Sequence, residues 1–166
     1  MTTVNTVRQV LPDFEYEYHT ISVDTIGQDS KNTFTVHLTQ QIENIVQARL
    51  LAARIDASGS SVCHISVDEL NTNYSQRTSN VYGGQGDMTV LNRGFGTVIQ
   101  DGSNPIIFKD DYDVTTQYMT PVRKVDRLSF TLRDENGVTT SDGTDNFFIF
   151  KFVCKNKNLP FIESGR

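Results

Sequence analysis

The sequence predicts an all-β fold, either a β-sandwich or a jelly roll, and three observations support this prediction. The stretch "RLSFTLR" (residues 127–133) alternates between polar and apolar side chains, as a strand with one buried face does. The stretch "FFIFKFV" (residues 147–153) is apolar on both faces, which is typical of a central strand with cover on each side. About eight short strands separated by turn residues form the pattern of a sandwich or jelly roll.

The faces of the last two strands follow from their alternation. In the first of them, the predicted core side chains are Leu128, Phe130 and Leu132. In the second, Phe148, Phe150 and Phe152 face one way, and Phe147, Ile149, Lys151 and Val153 face the other. One face of the last strand therefore belongs to the core. The other face must be covered either by the chain's own loops or arm, or by a neighbouring subunit.

The first strands are predicted to form a hairpin. "YHTISVDTI" (residues 18–26) and "TFTVHL" (residues 33–38) both alternate, and the turn residues "GQDSKN" (27–32) join them. The predicted inward side chains are Ile21, Val23, Phe34, Val36 and Leu38.

The middle of the chain is less clear. Residues 40–58 fit a helix by composition and a strand by part of their apolar pattern, and periodicity alone does not decide between the two. Further strands are predicted at residues 62–70, 88–91, 96–100 and the apolar run 105–109. The polar stretches 71–87 and 110–124 are predicted to be irregular.

Size and charge restrict the class of protein. A chain of 166 residues suggests one domain, which needs neither a disulfide nor a metal to hold its core. The net charge of −5 and the absence of a Lys/Arg run argue against a nucleic-acid surface. No apolar run approaches the ~18 residues of a membrane span, and the first residues lack the apolar centre of a signal peptide.

The predicted organisation is an N-terminal arm (1–17), a β domain (18–155) and a C-terminal tail (156–166). The arm is either an extended contact segment or a frayed terminus. Cys63 and Cys154 are far apart in the sequence and are interpreted as two reduced thiols, with a single disulfide as the alternative.

The sequence contains no set of residues that predicts catalysis or metal binding. His19, His37 and His64 each lie in a predicted strand without a second ligand at metal-binding spacing. The acidic stretch "KDDYD" (109–113) is interpreted as a solvated loop, with a loose Ca²⁺ site as the alternative. The glycines of "GGQGD" and "RGFG" are not followed by Lys-Ser/Thr, so they are assigned to turns and close backbone approach. We therefore expect no catalytic, cofactor-binding or metal-binding residue.

Three segments, taken in order, resemble one family. They are "FTVHLTQQIENIVQARLLAARIDAS", "HISVDELNTNYSQRTSN" and "YMTPVRKVDRLSFTLRDENGV…NFFIFKFVCK". Together they are similar to the single-jelly-roll penton and minor capsid proteins of large eukaryotic DNA viruses, virophages and polinton-like viruses. The resemblance covers roughly residues 33–155, and "QQIENI" departs from it where a proline is often found before the isoleucine.

The resemblance implies a single jelly-roll β-sandwich of about eight antiparallel strands, with a turn near residues 41–44 and a strand over 46–57. It also implies a virion structural protein without enzymatic activity. The expected assembly is a homopentamer at the vertex of an icosahedral capsid, assembled in the infected host cell beside a double-jelly-roll major capsid protein and minor capsid proteins. A minor capsid protein at another position, or a receptor- or sugar-binding jelly roll of a viral fibre, is the alternative. The candidate contact segments are 1–17, 71–87 and 155–166, the last with the apolar residues 159–162.

Overall fold

The structure, a computed structural model, describes residues 15–57, 59–76, 90–100, 105–135, 137, 139 and 143–156. Within these ranges the chain forms strands and no helix, so the predicted all-β class is confirmed. The strands are β1 (Tyr16–Asp24), β2 (Thr33–Ile55), β3 (Val62–Val67), β4 (Asn73–Gln76), β5 (Val90–Gly94), β6 (Gly96–Ile99), β7 (Ile106–Phe108), β8 (Thr115–Arg133) and β9 (Phe147–Lys155).

One seven-stranded antiparallel sheet, in the order β1-β9-β2-β8-β3-β6 with β7 on β2, curls into two layers. The long strands β2 and β8 pair with each other and belong to both layers. The first layer contains β1, β9, residues 45–55 of β2 and residues 115–125 of β8, together with β7. The second layer contains residues 33–41 of β2, residues 127–133 of β8, β3 and β6. In the first layer, β7 and the start of β8 lie on the same side of β2, opposite β9, so each layer has four strand positions. Two antiparallel layers in this order are a jelly roll.

The β2–β8 ribbon bends at residues 38–45 of β2. Its register shifts between His37 and Ile42 and again between Ile45 and Gln47, and Asn44 has a φ of 53°. Such extra residues bend a strand, and asparagine tolerates this left-handed conformation better than most residues. The bulges also explain why the pattern of this segment is ambiguous. Between His37 and Ile42, β2 contains three more residues than the facing part of β8, and strict alternation is lost there. The buried Ile42, Ile45 and Ala48 are spaced by three, which resembles a helix. The helix interpretation of residues 40–58 is therefore wrong.

Phenylalanine rings fill the space between the layers. The rings of Phe34 and Phe130, neighbours in the second layer, stack with centroids 4.8 Å apart. Phe130 lies 5.3 Å from Phe148 of the first layer, and Phe95 meets Phe150 edge to face at 5.6 Å. The predicted inward faces of the last two strands are confirmed, since Leu128, Phe130, Leu132, Phe148, Phe150 and Phe152 are all buried.

The predicted hairpin between the first two strands is wrong. β1 pairs with β9, from Tyr16 opposite Lys155 to Asp24 opposite Phe147, while residues 33–37 of β2 pair with β8. The turn at Gly27, which has a φ of 79°, carries the chain from one layer to the other. The alternating pattern correctly located both strands. The partners of β1 lie 123 to 139 residues further along the chain, and those of residues 33–37 lie 90 to 98 residues further along. No local pattern can indicate pairing at such a distance.

Two other boundaries differ from the prediction. Residues 115–124 were predicted to be irregular, but they form the first half of β8, in which Thr116 is buried and pairs with Ala48 of β2. β3 ends at Val67, where the chain turns: the N–H of Leu70 donates to the carbonyl of Val67 (2.8 Å), and the N–H of Val67 donates to the side-chain oxygen of Asn71 (2.8 Å).

The predicted arm and loop also lie partly within strands. Tyr16 and Glu17, assigned to the N-terminal arm, belong to β1. Part of the predicted loop 71–87 is the strand β4, which pairs with β5 in a separate two-stranded sheet. Residues 1–14, 77–89 and 157–166 are outside the described part of the chain, as is the "GGQGD" stretch. In "RGFG", a Cβ on Gly94 would lie 3.2 Å from the carbonyl oxygen of Ile65, which confirms the predicted close backbone approach.

A buried polar cluster joins the β1–β2 turn to the start of β9. The fully buried Asn146 donates from Nδ2 to the carbonyl of Lys31 (2.8 Å) and accepts from the backbone N–H of Asp56 (2.8 Å). Its own N–H donates to Oγ1 of Thr25 (2.9 Å). One side chain thus satisfies backbone groups from two other segments, which fixes the crossing between layers.

We predict that Asn146→Ala destabilises the fold by about 2–4 kcal/mol, because it removes the hydrogen bonds that the buried amide makes with the carbonyl of Lys31 and the N–H of Asp56. Urea unfolding followed by circular dichroism measures this change. Asp145→Asn, which removes a partly exposed ion pair with Lys31, is the control and should cost clearly less. Equal losses in the two variants would contradict the role given to Asn146.

We predict that Phe150→Asp prevents cooperative folding, because the carboxylate would be buried among aromatic rings without a partner. Ile149→Asp is the matched control, since it places the same charge one residue earlier on the exposed outer face. The control should keep a cooperative thermal transition by circular dichroism. A cooperative transition in Phe150→Asp would show that β9 does not have the assigned faces.

Candidate functional site

The three histidines lie in strands, as predicted, and do not converge on one another. Nε2 of His19 is 3.7 Å from a carboxylate oxygen of Glu17, and Nδ1 of His64 is 2.8 Å from Oγ1 of Thr97. His37 is exposed on β2. Among the described residues, no group of three or more His, Cys, Asp or Glu side chains is arranged to hold a metal ion.

The acidic loop 109–113 is tied to β2 by one arginine. Nη2 of Arg49 lies 2.9 and 2.8 Å from the two carboxylate oxygens of Asp110, and Nε lies 3.8 Å from Asp113. The hydrogen bond to Asp110 raises the pKa of Arg49 above its ordinary value. Since a guanidinium already occupies these carboxylates, the geometry favours the solvated-loop interpretation over a calcium site.

Both cysteines are free and buried. Burial raises the pKa of the Cys63 thiol to about 12 and that of the Cys154 thiol to about 11, because a thiolate loses its hydration inside the protein. The thiolate is the reactive form of cysteine, so neither residue is a nucleophile at neutral pH while the protein is folded. The disulfide alternative is not realised.

Apolar side chains are exposed on the outer face of the first layer. The outer strip consists of Tyr18, Phe147 and Ile149, which are 54%, 40% and 37% exposed. Nζ of Lys151 lies 5.1 Å from the centre of the Tyr18 ring, so its aliphatic stem continues the strip between the two ends. No described segment covers this face of β9, which was predicted to need a cover. Exposed apolar clusters of this kind mark contact sites.

A second exposed apolar cluster lies where β7 of the first layer meets β6 of the second. The side patch consists of Ile99, Ile107 and Tyr112, which are 60%, 38% and 40% exposed. The hydroxyl of Tyr112 accepts a hydrogen bond from the N–H of Ile99 (2.6 Å), and the side chain of Gln100 accepts one from the N–H of Ile107. These bonds link β6 to the β7 region, so this side of the sandwich is closed.

The opposite side of the sandwich is open. Between residues 18–23 of β1 and residues 36–42 of β2 lies a cavity of about 520 Å³, here called the edge groove. A second cavity of about 460 Å³ adjoins the edge groove and extends to Asn156. The two cavities share His19, Gln40 and Gln41 as lining residues. The sequence prediction missed this groove because it paired the two strands that form its walls.

The groove combines an apolar floor with strand edges that have no partner among the described strands. Val23 and Ile42 are buried, and Ile21, Val36 and Leu38 are partly buried against the core. Within the described residues, β1 pairs with β9 alone, and residues 33–37 of β2 pair with β8 alone. Such an arrangement can bind an extended peptide segment, which would form hydrogen bonds with both edges.

Comparison of this chain with models of known protein families gives no match, and a search of curated proteins also gives none. Among the described residues, no helix is long and apolar enough to cross a membrane.

We predict that Cys63 and Cys154 resist an aromatic disulfide reagent at pH ~8 in the folded protein, because both thiols are buried and protonated there. Absorbance of the released thiolate measures the reaction. In guanidinium chloride both thiols should react at once, which provides the control. Fast reaction of either thiol in the folded protein would contradict the described core.

Proposed function

We propose that the chain is a structural subunit of a viral capsid, without catalytic activity. Within the capsid we assign it to the vertex as a homopentameric penton protein, beside a double-jelly-roll major capsid protein. Its location is then the virion, assembled inside the infected host cell. The proposal rests on the sequence resemblance of residues 33–155 to single-jelly-roll capsid proteins and on the surface described above. Jelly rolls also serve other functions, so the fold alone does not carry the assignment.

The observation that carries the proposal is the presence of two separate exposed apolar surfaces on the sandwich. The outer strip lies on β1 and β9 of the first layer, and the side patch lies where β7 of the first layer meets β6 of the second. A closed ring of more than two subunits needs a heterologous contact, in which one surface of each subunit meets a different surface of the next. Two such surfaces on one rigid sandwich fit this requirement.

The size of these surfaces shows what else the contact would need. A stable interface buries about 1,200 Å² or more in total, with an apolar centre and a polar rim. Three partly exposed side chains on each surface supply such a centre. The neighbouring polar side chains of β1, together with Arg54 of β2, which lies opposite Phe147, would form the rim.

The sugar- or receptor-binding alternative would use exposed aromatic and acidic side chains of the loops. The obvious group is Tyr112 beside the acidic loop. Its hydroxyl is already bonded to the backbone of Ile99, its ring packs edge to face on Phe108 at 5.2 Å, and Asp110 is paired with Arg49. These contacts use the polar groups that a sugar would need, so the assembly surface is the better-supported function.

We predict that the purified chain, alone or with its capsid partner, forms pentamers and that Ile149→Asp and Ile107→Asp each abolish them. The reason is that each variant places a charge at the centre of one apolar surface. Analytical ultracentrifugation gives the mass of the assembly. Gln28→Asp, on the exposed β1–β2 turn, is the matched control and should assemble normally.

Mixing the two variants tests the ring geometry directly. Each variant retains the surface that the other has lost, so a heterologous contact predicts one intact interface per pair and hence a heterodimer. Trimers that bind glycans would favour the receptor-binding alternative instead. Monomers at all concentrations, also in the presence of the major capsid protein, would overturn the proposal.

A further inference from the structure

We infer that the edge groove is the docking site of the C-terminal segment of the same chain, residues 157–163, which closes the open side of the sandwich as an additional strand. This inference does not depend on the capsid assignment. It rests on the backbone groups that face the groove, on the chemistry of its walls, and on the point at which the chain leaves β9.

Alternate residues of β1 present their backbone groups to the groove. The N–H of Asn156 donates to the carbonyl of Glu15, and the N–H of Thr25 donates to the carbonyl of Asn146. In an antiparallel ladder these bonds recur at every second residue, so the odd-numbered residues of β1 bond to β9. The N–H and C=O groups of Tyr18, Thr20 and Ser22 therefore point away from β9 and toward the groove.

The facing wall has the same property. The N–H of Leu132 donates to the carbonyl of Asn32, so in this part of β2 the even-numbered residues bond to β8. The backbone groups of Thr35 and His37 point toward the groove. One strand inserted between the two walls would thus find hydrogen-bond partners on both sides.

The composition of both walls favours a covered edge. Exposed edge strands usually carry lysine, proline or other charged residues that prevent pairing with another chain. Residues 18–23 and 33–41 contain no Lys, Arg, Asp, Glu or Pro. With Ile21, Val36 and Leu38 in the floor, the groove is suited to an uncharged strand with apolar side chains.

The C-terminal segment starts at the right place and has the right charge. Lys155 and Asn156 line the second cavity together with Glu17 and Glu43. Lys157 would therefore enter the groove beside two carboxylates. The following residues 158–162, "NLPFI", carry no charge and include apolar side chains for the floor.

The length and direction of the segment also fit. The six residues 158–163 in extended conformation would span about 20 Å, which equals the span of residues 18–23 of β1. Since β9 ends beside the start of β1, a segment turning back from Asn156 would run parallel to β1. It would run antiparallel to residues 33–41 of β2, which begin near Asn146 at the opposite end.

The N-terminal residues 1–14 join β1 at the same end but fit the groove less well. Their apolar stretch, residues 4–11, contains Arg8, which would have to lie between two uncharged edges. Pro160 in the C-terminal segment lacks an N–H and removes a single bond on one side only, because successive residues of a strand bond to opposite neighbours.

Amide hydrogen exchange measured by NMR on the full chain tests the inference. The amides of Thr20, Ser22, Thr35 and His37 should be protected in the full chain and should exchange about tenfold faster or more in a chain that ends at Asn156. The amides of His19 and Ile21, which face β9, are the internal control and should keep their protection.

A point variant keeps the test decisive if the shortened chain does not fold. Phe161→Asp should give the same alternating loss of protection. Ser164→Asp, which places the same charge outside the docked segment, should not.

Three results would overturn the inference. The first is that the groove-facing amides exchange at the same rate in the full chain, in the shortened chain and in Phe161→Asp. Protection that disappears on dilution would assign the groove to a second copy, and protection lost on deletion of residues 1–13 instead would assign it to the N-terminal segment. Either result would also overturn it.

Discussion

The bend of the β2–β8 ribbon is the constraint on which the rest of the structure depends. Because one pair of strands belongs to both layers, the layers face each other across a core of phenylalanine rings. The same bend determines which strand edges are left at the open side of the sandwich, namely β1 in the first layer and the start of β2 in the second. The bulges that make the bend also explain the helix-like spacing of buried residues at its corner.

The sequence predicted strands and their faces well where alternation is undisturbed. The burial of Phe148, Phe150 and Phe152 followed from a period of two, as did the placement of Phe147 and Ile149 on the opposite face. The prediction failed where bulges interrupt the period and where Thr116 is buried in a segment of polar composition. It also failed for strand partners, because a turn such as "GQDSKN" connects strands of one layer or of two equally well.

The candidate surfaces could be anticipated only in part. A last strand apolar on both faces indicated that its outer side needs a cover, and the outer strip lies there. The side patch depends on how the loop bearing Tyr112 folds against β6, and the edge groove depends on long-range pairing; neither has a local signature in the sequence. The proposed function is therefore one of surfaces, in which the packed core holds contact regions at fixed positions relative to one another.

The most direct test of this account is a set of nuclear Overhauser contacts measured on the isotope-labelled protein. The account predicts contacts between the rings of Phe34 and Phe148 across the two layers, whose centroids are 6.3 Å apart, and contacts between the backbones of β1 and β9. Backbone contacts between β1 and the start of β2 would instead restore the hairpin, remove the groove and contradict the jelly-roll arrangement.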